Sequence, residues 1–173
     1  MSQATAPVKA VTPLIAEVEQ ETQITRRVLE RVAGDKLTWK PHAKSMSLGQ
    51  LALHVATTPG ALASILATDT YEVGSFDQPE ATSAAELIPT LKESVGTARQ
   101  FLMALDEERA AATWKATQAG RELMAAPRIA LVRSIMLNHW YHHRGQLSVY
   151  LRLLNVPVPS IYGPSADENP FAG

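Results

Sequence analysis

The chain has no cysteine, which rules out disulfide staples, a thiolate nucleophile and any zinc–thiolate centre. Any metal must be held by nitrogen and oxygen. Charge of one sign is also missing: 16 lysines and arginines stand against 17 aspartates and glutamates, and neither sign gathers into a run. A nucleic-acid backbone or an anionic membrane surface is therefore not an expected partner. No window reaches the apolar length of a membrane span, and Met1–Pro13 lack the hydrophobic centre of a signal peptide, so a cytoplasmic protein is expected. What is present is an ordinary globular composition. With 173 residues, 46% of them hydrophobic, the expectation is one domain over residues 1–173 with a sizeable core.

Four segments carry apolar residues at helical spacing. The first runs from Leu14 through Val18, Thr25, Val28 and Val32, with Thr12 as N-cap, Pro13 at the first helical position and Gly34 as its end. The second opens at Ser47, whose spacing to Gln50 fits a capping box, with Met46 and Leu51 placed as a hydrophobic staple. It continues through Val55, Thr58, Leu62 and Ile65 to about Ala67, with Pro59 removing one backbone donor inside it. The third follows a second capping-box pattern, Ser83 and Glu86, and runs through Leu91, Val95, Ala98 and Leu102 to Leu105. The last opens after Pro127 and reaches about Leu154. Between the third and last, "TWKATQAGRELMAA" reads as a short hairpin turning near Gln118 to Gly120, or as loop. The expected architecture is all-α, a four-helix bundle with at least one longer connection and this hairpin as an optional addition.

The last helix contains "LNHWYHHRGQLSVYL", with three histidines in five positions of an otherwise buried pattern. At about 100° per residue, Ile129, Val132, Met136, His139, His143, Leu147, Tyr150 and Leu154 fall in a stripe about 80° wide, which would place His139 and His143 in the core. One buried histidine is most simply a hydrogen-bonded core residue. Two of them one turn apart leave several nitrogens to satisfy and cannot both be charged in a poorly solvated space, whereas a shared cation satisfies both neutral rings. His54 lies on the flank of the second helix and can supply a third nitrogen if that helix packs beside the last. His42 reads as a surface loop residue; His142, three residues after His139, could compete with His143 on spacing alone, but it projects outside the stripe, which favours His143.

These segments carry a resemblance. "KSMSLGQLALHVATTPG", "HWYHHRGQLSVYLRLLNVPVP" and "SIYGPSADE" resemble the DinB family of DinB/YfiT-like metalloenzymes over nearly the whole chain, with H-x-x-x-H-R-G-Q-L the most specific element. The resemblance implies a four-helix bundle in which His54, His139 and His143 hold a divalent metal, zinc or nickel. Members are similar in fold to bacterial thiol transferases that use bacillithiol and to mycothiol-dependent isomerases. It therefore implies a low-molecular-weight thiol cosubstrate, a small electrophilic substrate, a detoxification or stress role, and a homodimer. Two other readings stay open: a non-catalytic metal- or ligand-binding stress-response bundle, and histidines that only fill the core.

The neighbouring residues have plainer expected roles. Arg144 reads as a helix-surface charge, Gly145 as a close helix contact, and Gln146 as a flank hydrogen-bonder able to reach a ligand histidine. Trp140 and Tyr150 read as packing or pocket walls. Asp167 and Glu168 read as solvated tail residues rather than ligands. No serine, histidine and acid arrangement suggests a hydrolase triad.

Overall fold

The structure is a computed structural model that describes residues 10–75 and 77–172. Its first helix, α1 (Thr12–Leu29), begins with Pro13 in the first turn, where no intrahelical N–H is needed. Leu14, Val18, Thr25 and Val28 turn inward. The helix stops at Leu29, before Gly34, which instead begins a short 3-10 turn, Gly34–Lys36.

Helix α2 (Leu48–Leu66) starts as its sequence predicts. The Gln50 N–H donates to Ser47 Oγ at 3.1 Å, and the Ser47 N–H donates to Gln50 Oε1 at 2.9 Å. Pro59 lies inside the helix without ending it. Just beyond, Gly60 allows close approach of the third helix: a Cβ there would sit 2.7 Å from the Ser94 carbonyl oxygen. The Gly60 N–H donates to Ser94 Oγ at 2.8 Å, and that hydroxyl donates to the Thr57 carbonyl at 2.9 Å. Ser94 belongs to α3 (Leu87–Met103), which packs along α2 and follows a 3-10 turn, Ala84–Glu86. The Glu86 carboxylate accepts the Ser83 N–H at 3.0 Å, as the second capping pattern predicts.

The all-α expectation needs correction, because the fold is mostly helical with a small three-stranded sheet. Strand β1 (Thr70–Glu72) follows α2, and the one-turn helix α4 (Glu107–Ala111) precedes β2 (Thr113–Gln118) and β3 (Arg121–Pro127). The strand order is β1-β2-β3, with β1 parallel and β3 antiparallel to β2. The hairpin turns at Ala119 and Gly120, both with positive φ (50° and 77°), which suits a two-residue turn between right-twisted strands. Alternation on β2 buries Trp114 and Ala116. The Trp114 indole N–H donates to the Ile65 carbonyl at 3.3 Å, fixing the sheet to the end of α2. The adjoining Arg128 is buried and donates to the carbonyls of Leu66 (2.8 Å) and Arg109 (2.6 Å), satisfying acceptors that the last turns of α2 and α4 leave open.

The last long helical run comprises α5 (Arg128–Leu131), a π-helical stretch (Val132–Leu137) and α6 (Asn138–Leu153). The π stretch changes which face of α6 is central. Bonding from i to i+5 accommodates an extra residue, so positions beyond it lag by roughly one residue, about 100°. Trp140, Arg144, Leu147 and Leu151 consequently form the buried line, while His139, His143 and Tyr150 are half-buried on its flank. The stripe expected from uniform helical spacing is displaced by that step.

Arg144 is thus a core residue, contrary to the surface role expected of it. Its guanidinium is 1% exposed, lies 2.6 Å from the buried Glu21 carboxylate of α1, and donates to Thr25 Oγ1 at 3.1 Å. The rings of Tyr141 and Tyr162 lie each 5.2 Å from it. Gly145, expected at a close helix contact, is exposed with nothing within 4 Å of a Cβ. The tail is tied down by ion pairs: Asp167, exposed as expected, pairs with Arg152 and accepts the Val158 N–H at 2.8 Å, while the half-buried Glu168 pairs with Arg27 and, at 2.9 Å, with Arg31. Among the described residues no helix is long and apolar enough to cross a membrane.

Candidate metal centre

The register of α6 against α2 is set beside the histidines by a proline. Pro59 has no N–H to offer the Val55 carbonyl one turn earlier. That buried acceptor is taken instead by the Trp140 indole N–H at 2.9 Å. Val55 follows His54 and Trp140 follows His139, so this bond holds the two histidine-bearing turns level with one another. Trp140 is fully buried, and the contact is closed to water.

His54, His139 and His143 meet in this gap, all half-buried, each offering a ring nitrogen within 4.8 Å of the other two. His54 Nε2 and His139 Nε2 are 3.1 Å apart, and the rings meet edge-on with centroids 5.3, 4.5 and 4.4 Å apart. That separation permits a hydrogen bond between the two rings, with the donor set by which tautomer each adopts. The spacing fits a metal equally well: nitrogens about 2.0–2.1 Å from a tetrahedral zinc lie about 3.3 Å from one another.

Electrostatics keep the cluster neutral. The His54 pKa is pushed down to about 4, first by burial and then by the neighbouring His143 and His139 rings. Burial also lowers His139, aided by His143 and His142, and lowers His143 against the opposing hydrogen bond from Gln146. Three neutral imidazoles are the protonation state a divalent ion requires. Gln146 makes the contact anticipated for it: its Oε1 lies 2.7 Å from His143 Nδ1. With the proton held on Nδ1, the lone pair of His143 is left on Nε2, and the ring is oriented.

The other candidates lie elsewhere. His42 is exposed, and its Nδ1 accepts the Lys44 N–H at 3.1 Å. His142 is exposed and contributes no nitrogen to the cluster. Asp167 and Glu168 are engaged by arginines of α6 and α1. An open cleft of about 500 Å3 reaches the cluster at His143 and Gln146, with Tyr150 as a wall, as expected of it. The Tyr150 ring packs edge-on against Trp39 at 5.7 Å.

Residues 1–170 match the sequence profile of the DinB family. The chain belongs to the DinB family. Among its relatives is the uncharacterised protein YrdA of Bacillus subtilis strain 168, 27% identical over 153 residues, which span 87% of this chain and 86% of YrdA. The fold is similar to the crystal structure of a DinB-like protein from Bacillus cereus ATCC 10987, with a TM-score of 0.65 and 22% identity over 86% of this chain and 95% of that one. It is also similar to the DinB-like YjoA of Bacillus subtilis, with a TM-score of 0.64 and 19% identity over 86% and 97% of the two chains. At these identities the solved structures establish the DinB-like fold.

The position of Trp140 had a readable signal that sequence reasoning left unused. An interior proline such as Pro59 orphans the carbonyl four residues before it, and that carbonyl needs a donor from a neighbouring element. The tryptophan beside His139 is such a donor.

Proposed function

We propose that this DinB-family chain is a divalent-metal-dependent enzyme that joins a low-molecular-weight thiol to a small electrophile, with His54, His139 and His143 as metal ligands. The observation that carries the reading is the convergence of three neutral, half-buried imidazoles at the end of a cleft open to small molecules. No fourth histidine or carboxylate joins the group among the described residues, and a three-ligand site with an accessible face suits catalysis better than structural support. The nitrogen donor set favours zinc or nickel over magnesium or calcium.

A bound divalent ion would supply Lewis acidity that lowers the pKa of a thiol or water in its remaining positions. The protein's own contribution is orientation and exclusion. Gln146 fixes the His143 tautomer, the Trp140 bond to Val55 fixes helix register, and burial keeps the three rings neutral. In the transfer a sulfur–carbon bond forms as a carbon–halogen or epoxide carbon–oxygen bond breaks: a halide departs while the thiol proton passes to solvent, or the opened ring oxygen stays on the product and takes up a proton. A stress or detoxification role and a homodimeric assembly are part of this proposal.

The test is thiol consumption in the presence of an alkyl halide or epoxide, comparing metal-loaded with chelator-treated protein across several thiols. Metal-dependent consumption of one thiol supports the reading. Full metal loading without turnover for any pair would leave a non-catalytic metal-binding bundle.

A further inference from the structure

The cleft that reaches His143 carries charge of one sign. Lys40 and Lys44, on the loop between α1 and α2, line it, and no acidic side chain does. Neither lysine is in an ion pair among the described residues, although ten such pairs occur elsewhere in the fold. The remaining polar wall groups give no negative charge: Tyr150 donates its hydroxyl to the Met46 carbonyl at 3.2 Å, and Gln146 faces His143 through its oxygen. Lys40 and Lys44 are both exposed, and two unpaired ammonium groups on one concave wall raise the local concentration of anions and offer them charge-assisted hydrogen bonds.

From this arrangement we propose that the cleft selects small molecules with an anionic group, carboxylate or phosphate, at one end, bound between Lys40 and Lys44, while the other end reaches the metal. The proposal rests on the metal reading and specifies the ligand class for that site. A volume of about 500 Å3 suits a molecule longer than a single functional group. Backbone hydrogen bonds hold the loop in place. The Leu48 N–H donates to the Trp39 carbonyl at 2.9 Å and the Ser45 N–H to the His42 carbonyl at 2.9 Å, so both lysines sit on a backbone closed at each side. The lysine ammonium groups serve ligand capture, and the imidazoles remain free for the ion.

Straight-chain dicarboxylates from malonate to adipate, with acetate as the single-charge control, provide a graded ruler between the ion and the lysines. Titration calorimetry on zinc-loaded protein is expected to show one chain length binding at least about tenfold more tightly than acetate, an advantage that shrinks with added salt. Replacing both lysines (Lys40→Ala with Lys44→Ala) should abolish that advantage while zinc content stays unchanged, since neither residue touches the imidazoles. Equal binding of acetate and every dicarboxylate, or a length preference that survives the double substitution, overturns the proposal. A protein that takes up no zinc fails the metal reading before any dicarboxylate is added, and this proposal with it.

Discussion

Replacing Trp140 with phenylalanine tests the link between Pro59 and the histidine cluster. Phenylalanine keeps an aromatic ring in the core but removes the indole N–H that satisfies the Val55 carbonyl. A buried acceptor left without a donor costs about 1–3 kcal/mol, and the smaller ring adds roughly 1 kcal/mol through the space it leaves. For a chain of this size, each kcal/mol lowers Tm by about 2–4 °C, so Trp140→Phe should lower it by roughly 4–16 °C. Combining it with Pro59→Ala separates the two contributions. Alanine restores an N–H one turn after Val55, so in that background the carbonyl has an intrahelical donor and only the packing loss remains. Thermal unfolding of the four proteins should give a coupling of about 1–3 kcal/mol between the sites. Equal losses from Trp140→Phe with proline and with alanine at position 59 would refute the reasoning and reduce Trp140 to a packing residue.

Three further outcomes follow from the same structure. Glu21→Ala leaves the Arg144 guanidinium buried without its carboxylate, so urea unfolding should show a loss of about 3–5 kcal/mol; joint Glu21→Leu and Arg144→Met should cost less than that single change, and a larger loss would contradict the buried-charge account. Gln146→Ala frees the His143 ring and should weaken metal affinity by about 10–100-fold with little change in Tm, read by competition with a chelator. In the metal-free protein His54 has its pKa depressed to about 4, below the ordinary histidine value of 6.5, so the unfolded chain binds more protons across that window. Stability should therefore fall as pH drops from about 6.5 towards 4 and be insensitive to this group above it; urea unfolding of His54→Asn should show a shallower decline, and an identical pH profile would count against the depressed pKa.

Features governed by local chemistry were legible in the sequence. Ser47 and Gln50 define a helix start through two hydrogen bonds three residues apart, and the structure contains both. The hairpin between α3 and α5 was legible only as one of two readings, hairpin or loop, with its turn near Gln118 to Gly120, where the left-handed backbone of Gly120 favours glycine. His54, His139 and His143 could be grouped because a one-turn spacing on α6 and a flank position on α2 do not depend on fine packing. What was not legible depends on contacts distant in sequence or on departures from regular geometry. The strand β1 is three residues long and exists by pairing with β2, some 45 positions later, as in Thr70 with Lys115. The π stretch carries no side-chain signature, yet it shifts the buried line from His139 and His143 to Trp140 and Arg144. Arg144 then looks like a surface charge until Glu21, on the opposite end of the chain, is placed beside it.

Metal content of the purified, untagged protein tests the central claim most directly, measured beside a variant with His54, His139 and His143 all replaced by alanine. The account predicts close to one zinc or nickel ion per chain in the natural protein and none in the folded variant. No metal in the natural protein after incubation with either ion, or equal metal in both proteins, would contradict it.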